Sequence, residues 1–117
     1  MVNVASMAAV VPVAGIAPYN VSKHGVLALS ETLHGELAGA GAPIGVTVVM
    51  PGRVPTRLGR PAGAPEPDVA VPAAGELAPR EVGERVARAV RRDQLYLFTH
   101  PERLDEVRAR FARIAGD

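Results

Sequence analysis

Ile44-Gly45-Val46-Thr47-Val48-Val49-Met50 is a short, almost unbroken apolar run. Its length and β-branching predict a strand, and the lack of polar alternation predicts one covered on both faces, as in a parallel sheet. The segment before it has a different period. Val26, Leu29, Leu33 and Leu37 recur at three- and four-residue steps, predicting a helix from Pro18 to about Ala38 with one apolar stripe. Pro18 suits a first helical turn. Gly25 and Ala28 allow close packing on a neighbour, and Gly39-Ala40-Gly41-Ala42-Pro43 stops the helix. Further upstream, Met1 to Ser6 (MVNVAS) reads as the end of a strand, and residues 7–17 as an apolar loop of small residues.

Downstream of the central run, residues 51–78 are rich in Pro, Gly and Ala and have no periodicity. This is a long loop, and the part from about 58 to 78 is expected to be flexible and to govern substrate choice. Pro79 opens a helix to about Arg92, with Val82, Val86 and Val90 on one face and Glu81–Arg85 and Glu84–Arg88 as four-residue ion pairs. Gln94 to Thr99 reads as a strand. A last helix, from about Pro101 to Ile114, turns Leu104, Val107, Phe111 and Ile114 inward. Its early residues are acidic and its late ones basic, which complements the helix dipole. Three strands alternating with three helices predict an α/β fold with a parallel sheet and right-handed crossovers.

Composition narrows the function. The 117 residues suffice for one small domain, whose core must come from Val, Leu, Ile and Ala because there are two Tyr, two Phe and no Trp. A net charge of +1 gives no reason to expect a nucleic-acid partner. Without Cys there is no disulfide, thiolate metal site or Cys nucleophile. The first nineteen residues are apolar, but no Lys or Arg precedes them and Pro12, Gly15 and Pro18 interrupt them. They are therefore not read as a signal or a membrane span, and a soluble, cytoplasmic protein is expected. Arg supplies twelve of the basic residues and Lys one, Lys23.

Tyr19 and Lys23 stand four apart at the start of a predicted helix, on one face. An ammonium and a helix N-terminus beside a phenol both favour the phenolate, and a phenol tuned in that way can exchange a proton with a carbonyl or alcohol. Ser6 closes the preceding strand, so it falls at the same end of a parallel sheet, where ligands bind. Taken singly, Tyr19 and Lys23 read rather as a surface pair on a helix, and Ser6 rather as a loop residue satisfying backbone groups.

Three segments together are more specific. Asn3-Val4-Ala5-Ser6, Tyr19-Asn20-Val21-Ser22-Lys23 (a Tyr-x-x-x-Lys motif) and Pro51-Gly52-Arg53-Val54-Pro55-Thr56 resemble, in order, successive motifs of the short-chain dehydrogenase/reductase family. Tyr96 to Glu102 (YLFTHPE) resembles that family's C-terminal region, so the resemblance spans the chain. It implies the C-terminal half of a Rossmann-like, doubly wound parallel sheet and NAD(P)-dependent hydride transfer on a small carbonyl or alcohol substrate. It further implies Tyr19 as general acid/base and Ser6 as hydrogen-bond partner of the reacting oxygen. Lys23 would hold the nicotinamide ribose and lower the Tyr19 pKa. Pro51, Gly52, Val54 and Thr56 would line the nicotinamide side of NAD or NADP. The family's helix equivalent to Pro18–Ala38 commonly packs on its counterpart, which implies a homo-oligomer.

The family's glycine-rich fingerprint is not found in these residues. Gly39-x-Gly41 has Ile44 where a third Gly is needed and follows a helix instead of opening one. Residues 1–117 are therefore expected to be one partial domain, without the family's N-terminal cofactor-binding half, that alone does not hold a dinucleotide tightly. The alternative is a catalytically inactive fragment that only self-associates or packs with other chains. His24, His34 and His100 make no metal cluster; the first two read as helix-surface or interface residues, and His100 as a helix-start residue.

Overall fold

Val46 to Met50 are each at most 3% exposed, which puts the central apolar run at the centre of the molecule. In the computed structural model, which describes residues 1–116, strand β2 (Thr47–Met50) lies between β1 (Val2–Val4) and β3 (Tyr96–Phe98) and is parallel to both. Val4 sits opposite Val49, and Met50 opposite Phe98. Parallel neighbours need crossovers. Helix α1 (Ala17–Gly39) supplies the first and α2 (Pro79–Arg91) the second; α3 (Leu104–Ala115) follows β3.

The pleat of β2 sends alternate side chains to two layers. Val48 and Met50 join Ala5, Met7, Ala9 and Val10 in one cluster, covered by Val26 and Leu27 of α1 and Val107 of α3. Val49 joins Leu97 and Ala89 in the other, with Val86 of α2 beside them. On β1 the second face is bare: Val4 is 59% exposed and Val2 is exposed as well.

Each helix differs from its sequence pattern in an informative way. On α1, Leu29 is 55% exposed, while Ser30 is fully buried. The Ser30 hydroxyl donates to the Val26 carbonyl at 2.7 Å and accepts from the Asn3 amide at 3.0 Å. A small polar residue with both capacities used can lie inside, and here it ties α1 to β1. On α2 the buried residue is Ala89, and Val90 is exposed. Glu81–Arg85 forms at 2.6 Å as expected, but Glu84 pairs with Arg80 at 3.3 Å instead of Arg88. Arg85 also donates to the Thr99 carbonyl, linking α2 to the end of β3. On α3, Phe111 and Ile114 are exposed, so only its first turns face the core. A 3-10 turn, Pro101–Arg103, precedes it.

Residues 7–17 are not simply a loop. Met7–Ala9 form a buried 3-10 turn, and the β1 ladder extends into it through Ala5 N–H to Val49 O (2.8 Å) and Met7 N–H to Pro51 O (2.9 Å). The long loop is tied at its base, where Arg53 bridges to Glu76 and Leu77 N–H donates to Arg53 O at 3.1 Å.

Candidate functional site

A parallel sheet collects the ends of its strands and the starts of the following helices on one side. There an open cleft of about 300 Å³ is lined by Val4, Ala5, Ser6, Tyr19, Lys23, Pro51, Gly52, Val54 and Thr56, with Leu58 and the start of α2 (Pro79, Val82) closing it. All seven residues singled out from the sequence share this cleft. Leu58 belongs to the loop expected to govern substrate choice; Pro79 and Val82 were not foreseen, and all three add apolar wall.

Ser6 caps the Met7–Ala9 turn. Its Oγ accepts the Ala8 N–H at 3.0 Å, which fixes the oxygen and leaves the hydroxyl proton to donate. Tyr19 enters on the first turn of α1, where Pro18 occupies a position that has no N–H to satisfy. The approach to it is braced by Asn20, whose amide donates to Val13 O at 2.7 Å and whose carbonyl accepts Val13 N–H at 3.1 Å. One turn on, the Lys23 ammonium lies 5.5 Å from the centre of the Tyr19 ring and 3.5 Å from Val4 O. Only one of its three donors is directed at the protein. The ammonium lies over the ring face, within the range of a cation–π contact.

The opposite wall follows β2. Val54 stands half-buried and Pro55 buried behind it, and Thr56 Oγ1 accepts Leu58 N–H at 3.2 Å. Gly52 has an ordinary φ, so space and not backbone conformation requires glycine there. A Cβ on it would lie 2.7 Å from Cγ of His100. His100 is 2% exposed, and its Nδ1 accepts Gly52 N–H at 3.0 Å. The sequence reading made it a helix-start residue. It does precede the Pro101–Arg103 turn, but its ring points under the cleft wall. The available signal was its place just beyond β3, at the sheet end that carries Ser6 and Pro51.

His24 donates its Nδ1–H to Asn20 O at 2.8 Å. Among the described residues no three His, Asp or Glu side chains gather to hold a metal ion, and no helix is long and apolar enough to cross a membrane.

The fold is part of a doubly wound parallel sheet with an open cleft at its strand ends. Residues 1–67 match the short chain dehydrogenase family. The 1-deoxy-11-beta-hydroxypentalenate dehydrogenase of Streptomyces avermitilis is 36% identical over 104 residues, covering 87% of this chain and 36% of that protein. A short chain dehydrogenase/reductase from Burkholderia phymatum, solved in complex with NAD, superposes with a TM-score of 0.80 at 30% identity, over 97% of this chain and 47% of that one. A short-chain dehydrogenase from Sphingobium yanoikuyae, solved with NADPH, gives a TM-score of 0.64 at 25% identity, over 99% of this chain and 44% of that one. The chain belongs to the short-chain dehydrogenase/reductase family of oxidoreductases. It spans little more than a third of the length of the curated relative and less than half of these two solved relatives.

Proposed function

We propose that this chain carries the proton-transfer and nicotinamide-facing part of an NAD(P)-dependent oxidoreductase acting on a small carbonyl or alcohol. The single observation behind this is the convergence of Ser6, Tyr19 and Lys23 on one cleft at the strand ends, opposite Gly52, Val54 and Thr56. The nicotinamide would supply or accept the hydride. The residues fit its ribose end: Lys23 has ammonium donors free for ribose hydroxyls, Pro51 and Val54 offer an apolar wall, and Thr56 has a hydroxyl proton to donate.

In reduction, Ser6 donates its hydroxyl proton in a hydrogen bond to the substrate carbonyl oxygen and Tyr19 hands over its phenolic proton as that oxygen gains charge. Lys23 stabilises the phenolate left behind. Oxidation of an alcohol runs the same steps backwards. Leu58 and the loop beyond it border the cleft, which suits a role in choosing the substrate. NAD and NADP are both kept, since solved relatives hold one or the other.

Kinetics of Tyr19→Phe and Lys23→Ala, each in the context of a complete nucleotide-binding fold, are the test. Tyr19→Phe is expected to cut turnover by about 10²–10⁴-fold with cofactor affinity retained, the size of a lost general acid/base. Lys23→Ala is expected to lower both. Near-normal turnover in Tyr19→Phe would refute the assignment. Inactive protein throughout, with no cofactor binding, would favour the alternative of a chain that only packs with others.

A further inference from the structure

His100 lies 48 residues from Gly52 in sequence, yet the two are in direct contact beneath the cleft wall. A backbone N–H can only donate, so with Gly52 N at 3.0 Å the Nδ1 of His100 must present a lone pair. The Thr99 hydroxyl, 2.8 Å from the same nitrogen, can only share that single lone pair as a second, bifurcated donor. The ring proton therefore resides on Nε2. That atom is buried and meets no acceptor among the described residues. A buried N–H left unpaired is costly, so the ring is held in this state by what Nδ1 does. Glycine at position 52 completes the fit, because any Cβ there would strike the imidazole.

We infer that His100 is a positioning residue of the cleft: as the neutral, Nε2-protonated tautomer it holds the Gly52 amide and so sets the backbone of residues 51–56. This rests on the proposed nicotinamide-facing role of that segment for its functional consequence, and not for the contact itself. His100 is not among the residues that line the cleft. It acts through Gly52 on Val54 and Thr56, which line the cleft. A site wall displaced by a fraction of an ångström loses affinity and alignment.

Nitrogen NMR on the isotope-labelled chain tests the contact directly. A through-bond coupling between Gly52 N and His100 Nδ1, with the proton on Nε2, is expected; a protonated Nδ1 or no coupling overturns the inference. His100→Asn keeps an acceptor near the Nδ1 position, whereas His100→Leu removes it. Hydrogen exchange at Gly52 should stay within about threefold of wild type in His100→Asn and rise about tenfold in His100→Leu, as for one lost hydrogen bond. Unchanged exchange in His100→Leu overturns the proposal. Should His100→Leu fail to fold, the wild-type coupling and the His100→Asn exchange still decide. NADH titrations read the consequence: about tenfold weaker binding in His100→Leu and near-wild-type binding in His100→Asn. Equal affinity in all three overturns the positioning role. A wild-type chain that does not respond to NADH counts against the proposed function alone, and the coupling then decides His100.

Discussion

In the proposed mechanism Ser6 serves structure and chemistry together. Its oxygen caps the turn after β1 through the Ala8 N–H, and the residue lines the cleft, with its hydroxyl proton left to donate. Ser6→Ala removes both contributions. The cap should cost about 0.5–2 kcal/mol of stability, and loss of one donor to the reacting oxygen should lower turnover about 10²–10³-fold. Ser6→Thr keeps a hydroxyl and should recover most of each. Denaturant melts on the chain, and kinetics in a complete nucleotide-binding context, separate the two effects; a fully active Ser6→Ala would remove Ser6 from the proposed mechanism. Tyr19 and Lys23 were legible in the sequence because four residues is the reach of one helical turn. His100 was not, because its role depends on the end of β3 meeting the end of β2, and no local pattern records that contact.

At the scale of elements, burial patterns were legible where both faces are apolar and misleading where a polar pair is buried. Of the run Ile44 to Met50, Ile44 and Gly45 are exposed and lie before the strand, while Thr47 to Met50 read correctly as a covered one. The stripe through Leu29 did not, because the buried Asn3–Ser30 hydrogen bond turns α1 so that Ser30 faces the sheet. The Met7–Ala9 turn was hidden for a similar reason: its register comes from Pro51, not from neighbours in sequence. A second polar link ties α1 to β3, where the Tyr96 hydroxyl donates to Glu31 at 2.7 Å. That hydrogen bond, then burial, then the carboxylate's charge hold the Tyr96 phenol above its ordinary value of 10.0. A raised folded pKa means that the contribution is complete below the unfolded value and fades as pH climbs through the folded one, hence above about pH 10. Glu31→Gln should move the Tyr96 transition, read by phenolate absorbance, back down. The wild-type advantage in melting temperature over Glu31→Gln should shrink at alkaline pH. An unmoved phenolate transition would show that the link is not formed.

The described residues form a three-stranded parallel sheet with the cleft at one end and apolar surface left exposed elsewhere. Val2 and Val4 are exposed on β1, and Val21 and Leu29 on α1. Exposed apolar surface of this kind marks sites of association. We propose that α1 packs on its counterpart in a second copy, so sedimentation at micromolar concentration should give a mass above the monomer. Leu29→Glu with Val21→Glu should return it to the monomer. A strictly monomeric wild-type chain would contradict this.

The cleft itself is best tested by titrating NADH into the isotope-labelled chain and following its backbone amides. No glycine-rich turn stands among these residues to hold a pyrophosphate, so weak binding is expected, far from saturation at micromolar ligand. The amides that move should be those of Ser6, Tyr19, Lys23, Gly52, Val54 and Thr56, with the far ends of α1 and α3 still. Shifts confined to residues away from this cleft, or no shift at any concentration, would contradict a nicotinamide-facing site.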